Sequence, residues 1–333
     1  MKLRVAVLGA GSFGTTIAHL ASRNAPTTLW CRRAETAEEV AREHTNERYL
    51  AGFRLAEGLR ATASLEEAVR EADVIVMGVP SHGVREVLAE VGGHIRPWVP
   101  VVSLAKGLEQ GSHLRMTEVI REALPDHRAG ALTGPNLAKE IMAGYAAASV
   151  VAFEDAEIAR QVQAVFQCGL FRVYTNDDVV GCELGGALKN VVAIAAGMGD
   201  GLGVGDNTRA AVITRGLAEL TRLGVAMGGR AETFSGLAGM GDLIATCASP
   251  QSRNRHVGEQ LGKGRTIDEI IADMNQVAEG VKTARVVMEL GAKHGVDLPI
   301  CKEVHGVLYE GATAMDAYRG LTRRAPGAES ESD

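Results

Sequence analysis

MKLRVAVLGAGSFGTTIAHLASRN, residues 1–24, sets a short apolar run (Leu3–Leu8) against a glycine cluster (Gly9–Gly14) and a stretch with helical spacing (Ser12–Arg23). A G-x-G-x-x-G spacing alone says little. Between a strand and a helix each glycine has a reason: Gly9 permits the tight turn, Gly11 removes the side chain that would block a pyrophosphate, and Gly14 lets helix and strand pack closely. Backbone N–H groups at the helix start then face the anion. The alternative is a plain glycine-rich turn, and what surrounds the stretch must decide.

Outward from it, β-branched runs recur at Thr27–Trp30, Val74–Val79, Val101–Leu104, Ala129–Thr133 and Ala147–Ala152. Helical spacing separates several of them, as at Leu65–Arg70, Val84–Val91 and Met116–Leu124. Strands alternating with helices predict a doubly wound, mostly parallel α/β sheet of Rossmann type. A further pair of apolar runs lies around Ala164–Tyr174. From Val179 onward the spacing turns helical, at Val179–Ala196, Ala210–Leu223, Thr266–Met274 and Thr283–Lys293. The expected organisation is a dinucleotide-binding domain over 1–178, an all-α substrate domain over 179–322, and a frayed polar tail over 323–333.

The 333 residues are enough for two such domains, and their formal charge of −6 offers no footprint for nucleic acid. The apolar run after Lys2 and Arg4 breaks at Gly9, too early for a secretory signal. No apolar stretch reads as long enough to span a bilayer, so no membrane insertion is expected. Five scattered cysteines without C-x-x-C spacing imply neither zinc nor a disulfide framework, and the nine histidines form no H-E-x-x-H pattern. The expectation is a cytoplasmic protein without a metal.

The tip of the second strand bears on the cofactor. An acidic residue there commonly holds the ribose 2′-hydroxyl of NAD. This chain has LWCRRAE, with Arg32 and Arg33, whose forked donors match a 2′-phosphate. NADPH is the expected preference, and nearby Glu35 leaves NADH open. Two solvated arginines at a helix start are the plainer alternative.

The stretch GALKNVVAIAAGMGDGLGVGDN, Gly186–Asn207, resembles the signature of NAD(P)-dependent glycerol-3-phosphate dehydrogenases. The resemblance extends through SLAKGLE (Ser103–Glu109), LTGPNLAKE (Leu132–Glu140), LAGMGDLIATC (Leu237–Cys247), SRNR (Ser252–Arg255) and AEG (Ala278–Gly280). It implies reduction of dihydroxyacetone phosphate to sn-glycerol 3-phosphate, the backbone of phospholipids, by a Rossmann domain joined to a helical one. Lys189 matches the family's proton donor and acceptor, and Asp242 a carboxylate near the reacting carbon. An ammonium beside the ketone stabilises charge arriving on oxygen and delivers a proton. Burial and a neighbouring carboxylate act on such an ammonium in opposite directions.

By the same match the substrate contacts are Lys106, Gly134, Asn136, Lys189, Asn190, Asp242, Thr246, Ser252, Arg253 and Asn254. Many bacterial relatives have serine where this chain has Asn136, so contact is expected to persist with altered geometry. Ser252 as helix cap, with Arg253 and Asn254 in the first turn, would clamp a phosphate. The cofactor contacts implied are Gly9, Gly11, Ser12, Phe13, Gly14, Arg32, Arg33, Tyr49, Lys106, Ala138, Arg253, Val277 and Glu279. Phe13 and Tyr49 also suit plain packing roles, and Asp242 a helix cap.

Two other readings remain. A β-hydroxyacid or 6-phosphogluconate-type dehydrogenase shares the two-domain plan, but commonly spaces its lysine and asparagine one helical turn apart, where Lys189 and Asn190 are adjacent. A silent NADPH sensor would need neither the Lys189–Asp242 pair nor a phosphate clamp. Apolar helical surface in the second half permits a homodimer.

Overall fold

A computed structural model describes residues 3–274 and 278–323. The chain divides after Glu183 into two compact units. In the first, eight strands form one sheet: β1 (Val5–Leu8), β2 (Thr27–Trp30), β3 (Leu59–Thr62), β4 (Val74–Met77), β5 (Val101–Ser103), β6 (Ala129–Thr133), β7 (Ala147–Ala152) and β8 (Phe171–Asn176). Their order is β3-β2-β1-β4-β5-β6-β7-β8. Every pairing is parallel except β6 with β7. This is the doubly wound, mostly parallel arrangement the alternating pattern predicts.

The alternation within β1 explains its burial. Val5 and Val7 join a core with Ile17, Leu29, Val76 and Phe166 on one face, whereas Ala6 and Leu8 join Ile75, Met77, Leu88 and Ile120 on the other. Successive side chains of a strand point to opposite faces, so helices on both faces require apolar residues throughout. The edge strand β3 escaped the sequence reading because LRAT is four residues long and carries an exposed Arg60. The runs around Ala164–Tyr174 resolve into the helix Ala156–Phe166 and the strand β8.

The described residues of the second unit contain helices and no strand. The longest helix, Val179–Leu202, begins in the first unit's sequence and carries most of its length into the second. It corrects one expectation, since by length and composition it could cross a membrane. With 94% of its apolar window buried inside the protein, it is a core helix. The tail expected over 323–333 lies, beyond Arg323, outside the described residues.

Candidate active site

In the first unit the glycine loop joins β1 to the helix Ser12–Ala21. Gly9 has φ +127°, and a Cβ there would sit 2.6 Å from the carbonyl carbon of Gly78. A Cβ on Gly14 would overlap the Gly9 carbonyl, whereas nothing lies within 4 Å of a Cβ built on Gly11. Two glycines are therefore needed for close backbone approach, and the third leaves open space beside a helix N-terminus. That cradle fits a pyrophosphate.

The side chain of Asn46, buried, donates to Ala10 O (3.0 Å) and Thr15 Oγ1 (2.9 Å) and holds the loop from behind. No sequence pattern singles Asn46 out. Ser12 donates from Oγ to the carbonyl of Tyr49 (2.9 Å), so these two cofactor candidates meet. Arg32 and Arg33 are exposed just past β2, as solvated as the plainer reading requires and as accessible as a 2′-phosphate requires.

Lys106, beyond the end of β5, donates from Nζ to Gly134 O (2.8 Å) and lies 6.0 Å from the centre of the Phe13 ring. Phe13 also packs against the core, as its plain packing role requires. Gly134 has φ +130° in the loop between β6 and the helix Ala138–Met142, and a Cβ would press within 3.2 Å of Ala148 O. Asn136 donates from Nδ2 to Ser149 Oγ (3.1 Å), which in turn donates to Thr133 O (2.9 Å). Its Oδ1 is buried and has no partner. Here asparagine adds an acceptor that serine in the same place would not hold in that form.

The second unit carries the remaining candidates. Lys189, in the middle of the long helix, is 5% exposed and forms an ion pair with Asp242, which is 2% exposed. Lys189 Nζ also donates to Thr246 Oγ1 (2.6 Å), and that hydroxyl donates to the main-chain oxygen of Asp242 (2.6 Å). Asp242 and Thr246 share one face of the helix Asp242–Ala248, which follows a π-turn at Leu237–Gly241. Asp242 is that helix's first residue rather than its cap, which is Gly241. Gly185 lets the two elements close: a Cβ there would lie 2.7 Å from Ala238 O. The adjacent thiol of Cys247 is pushed up to about 12, chiefly by burial, and is inert.

Ser252 caps the helix Arg253–Gly262, accepting from Arg255 N (3.2 Å), and Arg253 stands exposed at its first position. Asn254 points inward. Its Nδ2 donates to Asn190 Oδ1 (2.9 Å) and its Oδ1 accepts from Gly280 N (2.9 Å). The amide thereby ties together the Lys189 helix, the clamp helix and the start of the helix Glu279–His294, whose first residue is Glu279. Val277 lies outside the described residues. Arg255, the last residue of SRNR and without an expected role, grips Asp200 with its guanidinium (2.7 Å).

Comparisons with known proteins bear on the family. The family pattern described as the N-terminus of NAD-dependent glycerol-3-phosphate dehydrogenase matches residues 4–159, and that of its C-terminus residues 178–319. The chain is similar to glycerol-3-phosphate dehydrogenase [NAD(P)+] 2 of Sphingopyxis alaskensis, at 62% identity over 99% of both chains. It is 58% identical to glycerol-3-phosphate dehydrogenase [NAD(P)+] 1 of Mycobacterium tuberculosis, over 98% of this chain and 96% of the other. A crystal structure of glycerol-3-phosphate dehydrogenase from Coxiella burnetii superposes with a TM-score of 0.91 at 36% identity, covering 97% of this chain and 99% of that one. With both halves of the family pattern matched in order along nearly its whole length, this chain belongs to the NAD-dependent glycerol-3-phosphate dehydrogenase family.

Proposed function

We propose that the chain catalyses the reversible NAD(P)H-dependent reduction of dihydroxyacetone phosphate to sn-glycerol 3-phosphate, with Lys189 as proton donor. The observation that carries this reading is the buried Lys189–Asp242 pair with Thr246 hydrogen-bonded to the same Nζ. The Gly9–Gly14 loop would hold the dinucleotide, whose reduced nicotinamide would supply the hydride that the ketone carbon accepts. Lys189 then stabilises the negative charge left on the ketone oxygen and gives it a proton; buried as it is, the ammonium acts with little competition from water. Asp242 and Thr246 hold Nζ at a fixed position, so little is lost in orienting the donor.

The phosphate falls to Ser252, Arg253 and the N–H groups of the first helical turn, an arrangement of donors around an N-terminus suited to an anion. Asn254 acts chiefly by holding Asn190 and Gly280. Within the first unit, Lys106 is held by Gly134 O, and the unpartnered Oδ1 of Asn136 is an acceptor suited to a substrate hydroxyl. Five free cysteines support a reducing, cytoplasmic setting.

Arg32 and Arg33 favour NADPH through its 2′-phosphate. Loss of reduced-nicotinamide absorbance with dihydroxyacetone phosphate tests the whole reading, and 3-hydroxyacids assayed in the oxidative direction test the rival one. Turnover is expected with the phosphorylated ketone and both cofactors, with kcat/KM higher for NADPH. The double variant Arg32→Ala/Arg33→Ala should lower kcat/KM for NADPH by about tenfold or more while NADH stays within about threefold. An equal change for both cofactors would remove the 2′-phosphate from the argument.

A further inference from the structure

We propose that Asp200 is a positioning residue, which through Arg255 fixes the clamp helix Arg253–Gly262 in register against the helix that carries Lys189. The proposal rests on the reading that Ser252 and Arg253 hold the substrate phosphate.

The two helices meet along a seam of glycines. A Cβ on Gly197 would lie 2.9 Å from Glu259 N, on Gly201 2.7 Å from Gly262 Cα, on Gly258 2.8 Å from Met198 N, and on Gly262 2.5 Å from Met198 O. Gly197 and Gly201, like Gly258 and Gly262, are four residues apart on one helical face, so backbone rests on backbone. Such contact is close but smooth. Helices normally fix their register by side-chain ridges seated in grooves, and a glycine seam has none to seat.

Along this seam polar contacts are left to set the register, and two bear on it among the described residues. Asn254 bonds Asn190 (2.9 Å) near the middle of the Lys189 helix. One such bond leaves the shorter helix free to swivel about it. From the next position of the clamp helix, Arg255 reaches the C-terminal end of the Lys189 helix, donating from Nε and Nη2 to Asp200 Oδ2, both at 2.7 Å, while Arg209 donates from Nε to Oδ1 (2.7 Å). The Asp200 side chain is 7% exposed. With both of its oxygens engaged by guanidinium groups, the carboxylate forms a second, rigid pin, and the swivel is removed.

Helix stability does not explain the aspartate. Asp200 stands near the C-terminus of Val179–Leu202, where the helix dipole disfavours a carboxylate. It lies about three turns beyond Lys189 and on nearly the same face. Arg255 directly follows the clamp residues, so a shift at the pin moves the whole clamp relative to the ammonium.

The experiment compares dihydroxyacetone phosphate with dihydroxyacetone, which lacks the phosphate, in wild type, Asp200→Asn, Arg255→Ala and Arg255→Lys. Loosening charge-assisted hydrogen bonds to the phosphate costs roughly 10- to 100-fold in binding. Asp200→Asn should therefore raise KM for the phosphorylated ketone about 10- to 100-fold, with kcat for it and turnover of dihydroxyacetone each within about threefold. Arg255→Lys keeps the charge without the fork, and should recover part of the loss seen in Arg255→Ala. Should Asp200→Asn fail to fold, Arg255→Lys and Arg255→Ala carry the same two-substrate comparison. Parallel falls on both ketones, or an unmoved KM in the folded variants, overturn the proposal. A wild type indifferent to dihydroxyacetone phosphate overturns the underlying reading; an active wild type with an unmoved Asp200→Asn overturns this proposal alone.

Discussion

Lys189 and Asp242 face each other at 5% and 2% exposure, so each charge depends on the other rather than on water. Removing one partner of such a pair leaves a buried charge uncompensated, which costs about 3–5 kcal/mol, whereas replacing both by apolar groups is often neutral. Stability and catalysis should therefore separate. Lys189→Met is expected to lose about that much stability and roughly 100- to 10,000-fold in kcat. Adding Asp242→Leu should return most of the stability and none of the activity. Urea unfolding of wild type and the two variants checks the first part, and steady-state kinetics the second; a double variant no more stable than Lys189→Met would show that the pair is not the source of the loss. At this scale the pairing of Lys189 with Asp242 was legible because each stands in a specific motif. Asn46, Ser149, Asp200 and Arg255 were not, because each acts through a partner distant in the chain, and a polar residue near a glycine looks alike whether it is solvated or gripped.

At the scale of elements, two helical segments are fixed by carboxylates from elsewhere in their own unit. Glu219 accepts from Ile300 N (2.7 Å) and Cys301 N (3.2 Å), capping the helix Pro299–Tyr309, whose own cap residue, Leu298, has no acceptor. Glu183 accepts from Thr117 N (2.9 Å) and Arg115 Nη1 (2.9 Å) at the start of the helix Met116–Ala123. Burial holds both carboxyls above their ordinary value of 4.5. A carboxyl so raised keeps its proton longer in the folded chain than in the unfolded one. Its contribution therefore favours folding below 4.5 and is lost as pH climbs through the folded value. Glu183→Gln/Glu219→Gln, which cannot titrate, should flatten the decline in urea midpoint over that range. Glu219→Gln should also cost about 1–3 kcal/mol, because an amide nitrogen then faces a buried N–H. An unchanged pH slope would remove both carboxyls from the account. The elements themselves were readable wherever an apolar run or helical spacing was long enough. Thr27–Trp30, Ala129–Thr133 and Ala147–Ala152 fall where their β-branched runs place them, while β3, short and half polar, is held by pairing with β2 rather than by its own pattern.

At the scale of the molecule, an open sheet must end, and β8 is one of its edges. The exposed apolar side chains Tyr145, Leu170 and Tyr174, at 65%, 61% and 51% exposure, lie on or beside that edge. An edge with unpaired N–H and C=O groups and apolar neighbours invites a second chain. Here the outward backbone at Phe171 and Val173 is closed from within. Phe171 exchanges hydrogen bonds with Cys168 (2.9 and 3.3 Å). Val173 donates its N–H to Gln167 Oε1 (2.8 Å), and its carbonyl accepts from Gln163 Nε2 (2.7 Å). Two glutamines from the segment preceding the strand thus take the place of a ninth strand. Gln163→Ala/Gln167→Ala should leave the active-site residues untouched and kcat within about threefold, since neither glutamine contacts them, yet open Val173 to pairing with a neighbour. Light scattering across a concentration series is expected to show the variant growing in mass where wild type does not, with a thermal midpoint lowered by no more than a few degrees. If the variant scatters as wild type does, the charge of −6 and the remaining side chains suffice to keep copies apart, and the glutamines serve the strand alone.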